Sequence, residues 1–99
     1  MSFKVRYTKA AREDLRELYA YQLRHSLQSA RRARDTIAKG TGLLKDFPFT
    51  CRKADPSNAF LRELVIPFGG AGYVALFQID DQSTVTILAV RHQREDDYL

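Results

Sequence analysis

Few side chains in this sequence have the type and spacing for bond-breaking chemistry. Proton transfer near neutral pH calls first for an imidazole, and the two histidines, His25 and His92, lie far apart without metal-ligand spacing. His92 is the more suggestive. Arg94 follows it and Arg62 sits in an earlier strand-like run, a set able to take a hydroxyl proton while arginines hold a phosphate. As a structural residue, His92 is a strand-end histidine whose ring pairs with a carboxylate or a backbone carbonyl, and this reading is preferred. Tyr98 is read as a packing or tail residue in preference to an acid or base. Cys51 is the only cysteine, so an internal disulfide or a multi-cysteine metal site is excluded. With no His or Asp close in sequence it reads as an ordinary thiol. Gly69-Gly70-Ala71-Gly72 lacks the strand–loop–helix setting and the Lys-Ser/Thr of a phosphate loop, so it reads as a hairpin turn. No metal and no cofactor are expected.

The charge distribution bears on the same question. The 99 residues carry a net +4, but 1–34 hold nine Lys/Arg against three Asp/Glu, 35–59 four against three, and 60–99 three against six. The positive excess therefore falls on the first half, while the half holding Arg62, His92 and Arg94 is net −3. Glu95, Asp96 and Asp97 would repel a phosphate chain. Composition is ordinary for one small globular domain, 1–99. No apolar stretch is long enough to cross a bilayer, and the first residues lack a signal-peptide core, so no membrane association and a cytoplasmic location are expected.

These residues must be positioned by a few short elements. Phe3 to Tyr7 alternates as a half-buried strand does, and Thr8 suits a helix N-cap. Ala11, Leu15, Leu18, Tyr19 and Gln22 or Leu23 then form an apolar stripe, closed by Arg24 and His25. Ser26 and Ser29 are candidate caps for a second helix with the seam Ala30, Ala33, Ile37, Gly40, Leu44, Phe47. Its glycines favour a kink or an early end, and Pro48 stops it. Residues 48–59 read as a loop. Three strands follow, Phe60–Ile66, Tyr73–Ile79 and Thr84–Arg91, joined by turns short enough for antiparallel pairing. The order is β-α-α-β-β-β, an α+β fold with a helical hairpin packed on a small antiparallel sheet.

The strands are apolar on both faces. Strict alternation sets Leu64, Ile66, Tyr73, Ala75, Phe77, Ile79, Val85, Ile87 and Ala89 against Leu61, Val65, Val74, Leu76, Leu88 and Val90. A helical hairpin covers one face only, so the other face, or a groove beside it, is expected to be covered by the C-terminal tail, another copy or a partner segment, with a sheet that curls to bury more of itself as the plain alternative.

The sequence resembles the RelE/ParE toxin superfamily, and within it the ParE branch. The matching residues are Ala-Arg-Glu-Asp-Leu-Arg-Glu-Leu at 11–18, Leu44-Lys45-Asp46-Phe47-Pro48, Leu61-Arg62-Glu63-Leu64, Gly-Tyr-Val-Ala-Leu-Phe at 72–77, and Ile87 through Asp96. The resemblance implies a toxin of a type II toxin–antitoxin system, neutralised by a ParD-like antitoxin whose C-terminal segment wraps it. It also implies a division by target, RelE-like members cutting mRNA on the ribosome and ParE-like members poisoning DNA gyrase. The weak basic content of the sheet half favours a gyrase inhibitor with no catalytic residue of its own. The runner-up is a RelE-like ribonuclease using Arg62, His92 and Arg94. Expected antitoxin contacts are Leu15, Tyr19, Leu61, Val74, Leu76, Leu88 and Val90. Target-contact candidates are Arg24, Arg31, Arg32, Arg34, Arg91 and Arg94, with a solvated arginine face as the plain alternative. No helix-turn-helix or ribbon signature is present, so direct sequence-specific DNA binding is not expected.

Overall fold

A computed structural model describes residues 2–93. Strand β1 (Lys4–Tyr7) leads into helices α1 (Lys9–Leu23) and α2 (Leu27–Gly42), then two short 3₁₀ turns and strands β2 (Arg52–Asp55), β3 (Asn58–Phe68), β4 (Ala71–Ile79) and β5 (Thr84–His92). The helix starts obey the expected chemistry. The Thr8 hydroxyl accepts the Ala11 N–H at 3.0 Å and the Ser26 hydroxyl accepts the Ser29 N–H at 2.9 Å. Only three residues separate the helices, so they return antiparallel, and the buried Ala30 and Ala33 let them approach closely.

Five strands form one sheet in the order β1-β5-β4-β3-β2. Two features go beyond the expected arrangement. β1 pairs in parallel with β5: the helical hairpin carries the chain to β2 at the far edge of the sheet, and three antiparallel reversals through β3 and β4 then bring β5 alongside β1 in the same direction, so the sheet is mixed. Part of the segment expected as a loop, Arg52–Asp55, is a strand against the start of β3. Its turn is built by Asp55, whose carboxylate accepts the Ser57 N–H and hydroxyl; Asp81 does the same with Ser83 before β5. These bonds hold both carboxyls below the usual carboxylate range. Pro67 is tolerated within β3 because β2 reaches only as far as Glu63, so among the described residues no strand on that edge needs its N–H.

The helices cover one face of the sheet. Ile37 and Leu44 meet Ile66, Tyr73, Phe77 and Ile87, all under 5% exposed. The second helix ends early, as its glycines suggested, and Phe47 at the end of the expected seam is 58% exposed. Gly40 lies so close to Ile66 that an added Cβ would sit 2.9 Å from its Cγ1 and 3.0 Å from its Cδ1, whereas one on Gly42 would meet nothing within 4 Å. Overpacking costs about 1–3 kcal/mol and the helix gain from alanine is about 1 kcal/mol. Gly40→Ala should therefore lower stability by up to about 2 kcal/mol. Gly42→Ala should leave it unchanged or raise it slightly, and thermal melts of the two variants will show whether the signs differ.

Candidate functional site

The hairpin carries a groove built from its own apolar stripes. Tyr7, Leu15, Leu18, Tyr19, Ala33, Ile37 and Ala38 line a cavity of about 340 Å³, with Arg16 and Arg34 at its rim. The walls are fixed from below: Tyr7 Oη and Thr41 Oγ1 share a hydrogen bond of 2.7 Å, and the Thr41 hydroxyl lies 3.0 Å from the Ile37 carbonyl. The Arg34 guanidinium lies 5.9 Å from the Tyr19 ring centre and 3.4 Å from the Asp35 carboxylate, and Arg16 pairs with Glu13. The lining is apolar and the rim cationic, a combination suited to an apolar side chain of a partner segment that carries acidic groups beside it.

The expected contact residues divide between two sides of the molecule. Leu15 and Tyr19 line the groove. Leu61, Val74 and Leu76 lie on the opposite face of the sheet, the last two already buried or half-buried. Leu88 is the extra residue of a bulge, since Phe77 pairs with Ile87 and Leu76 with Ala89. The bulge inverts the parity beyond it. Val90, expected on the outer face, turns into the core at 2% exposure, and Ala89, expected inside, turns outward. The outer face is also more polar than expected: the register places Arg6, Arg52, Glu63, Gln78, Thr86 and Arg91 on it. Its apolar centre shrinks to Leu61, Val65, Val74, Leu76 and Ala89.

A second cleft, of about 720 Å³, lies between α1, the β3–β4 turn and the end of β5. Asp14, Glu17, Tyr21, His25, Tyr73, Arg91 and His92 are among its lining residues. The Asp14 carboxylate accepts the Val90 N–H at 3.0 Å, closing the β5 edge where β1 has ended. Gln22, 9% exposed, donates to Tyr73 Oη at 3.3 Å and accepts from the Ser29 hydroxyl at 2.9 Å. Burial pushes the Tyr73 phenol above its ordinary range. The His92 ring stands edge-on to Tyr73 at 5.7 Å.

Arg62 and His92 are not brought together. Arg62 is in register with Phe77 and His92 with Tyr73, on strands flanking β4. Strand spacings then put their Cα atoms about 16 Å apart. The Arg62 guanidinium is moreover engaged: it donates to the carbonyls of Ala59 at 2.7 Å, Cys51 at 2.8 Å and Phe49 at 3.1 Å, and lies 5.5 Å from the Phe49 ring centre. This clamp ties the turn before β2 to β3, and no local pattern in the sequence signals it. Burial raises the nearby Cys51 thiol above its ordinary range, with Arg62 opposing, so its thiolate is scarce near neutral pH. Arg94 and Tyr98 lie outside the described residues.

Of the arginines expected as target contacts, Arg24, Arg31, Arg32 and Arg34 are exposed on the hairpin, and Arg91 is exposed at the rim of the larger cleft. Arg32 lies 5.7 Å from the Phe68 ring centre, joining the hairpin to the β3–β4 end of the sheet.

Comparison with known proteins gives a consistent assignment. The family model described as the ParE toxin of the type II toxin–antitoxin system parDE matches residues 5–97. Among solved structures, the chromosomal ParDE system from P. aeruginosa superposes with a TM-score of 0.72 at 17% identity, covering 92% of this chain and 96% of that one. The RelBE2 toxin–antitoxin complex from Mycobacterium tuberculosis superposes with a TM-score of 0.57 at 28% identity, covering 93% and 92%. The comparison with curated proteins gave no match.

Proposed function

The chain belongs to the ParE toxin family of type II toxin–antitoxin systems, and from that premise we propose that it inhibits DNA gyrase by binding, breaking no bond itself. In this reading it holds a gyrase–DNA intermediate in place, and a ParD-like antitoxin neutralises it by seating an apolar, acidic segment in the groove between α1 and α2. The reading is supported chiefly by the fate of Arg62. Its guanidinium is committed to three backbone carbonyls and lies on a different strand from His92, so the two do not form one phosphate-holding, proton-moving centre. Antitoxin binding in the groove is supported by the apolar lining, the arginine rim and the positive excess of residues 1–34. Supercoiling of relaxed plasmid by purified gyrase tests the reading: the toxin should stop it and added antitoxin should restore it. Unimpaired supercoiling at saturating toxin removes the proposal.

A second reading, ribosome-dependent mRNA cleavage, draws on the likeness to the RelBE2 complex at 28% identity. In that reading His92 acts on the RNA, and His92→Ala abolishes codon-positioned cuts on translating ribosomes.

A further inference from the structure

At the end of the molecule occupied by the two 3₁₀ turns, four large apolar side chains stand more than half exposed: Leu43 at 57%, Phe47 at 58%, Phe49 at 51% and Phe60 at 54%. The turns Leu43–Lys45 and Pro48–Thr50 pack against each other, and the Phe49 and Phe60 rings meet edge to face at 6.3 Å. This surface is held in place. Arg62 bonds to the carbonyls of Phe49, Cys51 and Ala59 and lies over the Phe49 ring, so the backbone at Phe49 and at Ala59, which precedes Phe60, is tied to a common strut. A rigid exposed aromatic cluster loses little conformational freedom on association, as a binding hot spot requires.

We propose that this aromatic end is a contact between two copies of the chain, making the isolated toxin a symmetric dimer. Its area is sufficient. Half-exposed side chains of this size leave roughly 100 Å² each, or about 400 Å² of apolar surface in all. An interface about 60% apolar then buries roughly 700 Å² per partner, within the range of specific complexes. Its charge points to a copy. The exposed Lys45 and Lys53 are matched by the exposed Asp46 and Asp55, while Arg52 pairs with Glu63 at 3.0 Å, so a two-fold arrangement can set lysines against aspartates. The hairpin, by contrast, carries most of the +6 of residues 1–34 and would repel its own copy while attracting an acidic segment. The edge strand β2 does not join the contact through its backbone. Its register shift between Lys53 and Asp55 and its charged side chains disfavour strand addition.

The dimer goes beyond the gyrase and antitoxin reading, and its first test uses the toxin alone. Light scattering or sedimentation of the isolated full-length toxin over about 1–100 μM should show a monomer–dimer equilibrium in the micromolar range, as for an interface of modest area. Phe47→Ser and Phe60→Ser replace exposed side chains, and thermal melts will confirm that both variants stay folded. Each should weaken dimerisation by roughly tenfold or more. A wild-type chain that stays monomeric throughout, or a dimer that both variants leave intact, overturns the proposal. A monomer whose Phe60→Ser variant binds the antitoxin more weakly also overturns it, and assigns the surface to the antitoxin.

Discussion

Arg62→Ala should unfold this domain more readily by about 2–4 kcal/mol, because one side chain supplies three charge-assisted hydrogen bonds to backbone carbonyls and a ring contact. The range sits below the simple sum of such bonds, since two of the three are exposed and water replaces part of what is lost. For a domain of this size it corresponds to a fall in melting temperature of roughly 10–20 °C. Arg62→Lys should recover little, since an ammonium cannot span carbonyls that the planar guanidinium reaches together. Loss of toxicity in these variants is then a loss of folded protein. Melting curves decide the matter: an Arg62→Ala protein that melts like the wild type but is inactive would instead give Arg62 a direct part in function.

Ala38→Glu should weaken antitoxin binding by about 30-fold or more, a hot-spot-sized effect of roughly 2 kcal/mol. Ala38 is exposed on α2 and lines the apolar groove, so the substitution leaves the core intact and places a carboxylate where an incoming apolar group would lie. It also repels the acidic flanks expected of a segment drawn to Arg16 and Arg34. Leu76→Glu, on the opposite face of the sheet, serves as the counterpart. Titration calorimetry of both variants with the cognate antitoxin separates the surfaces. Unchanged affinity for Ala38→Glu with loss in Leu76→Glu would move the antitoxin to the outer face.

The helices were legible in the sequence because their signals are local. Thr8 and Ser26 cap where their spacing to the apolar stripes suggested, and the alanines and Ile37 of the second seam are buried together. The three long strands were also legible, though their edges were not. Four residues such as Arg52–Asp55 are too short to show a period, and β2 exists because β3 offers it a partner across a turn that Asp55 closes. The inward turn of Val90 has a related cause. Simple alternation from Val85 puts Val90 outside, and the bulge at Leu88 is set by pairing across to β4. The candidate site suffered most from such long-range terms. Helical spacing alone places Leu15 and Tyr19 on one apolar stripe, which the structure leaves lining the groove, but the commitment of Arg62 to carbonyls before and after β2 depends on tertiary structure. The exposure of Phe49 and Phe60 is not legible because, within a sequence, an apolar side chain gives no sign of whether it faces the core or solvent.

That the chain acts by binding gyrase and not by cutting RNA is tested most directly by giving the same wild-type preparation to two reactions. One holds purified gyrase with relaxed plasmid, the other translating ribosomes on a defined mRNA. The expected result is dose-dependent loss of supercoiling with the mRNA left whole. Undiminished supercoiling together with codon-positioned mRNA cuts would contradict it.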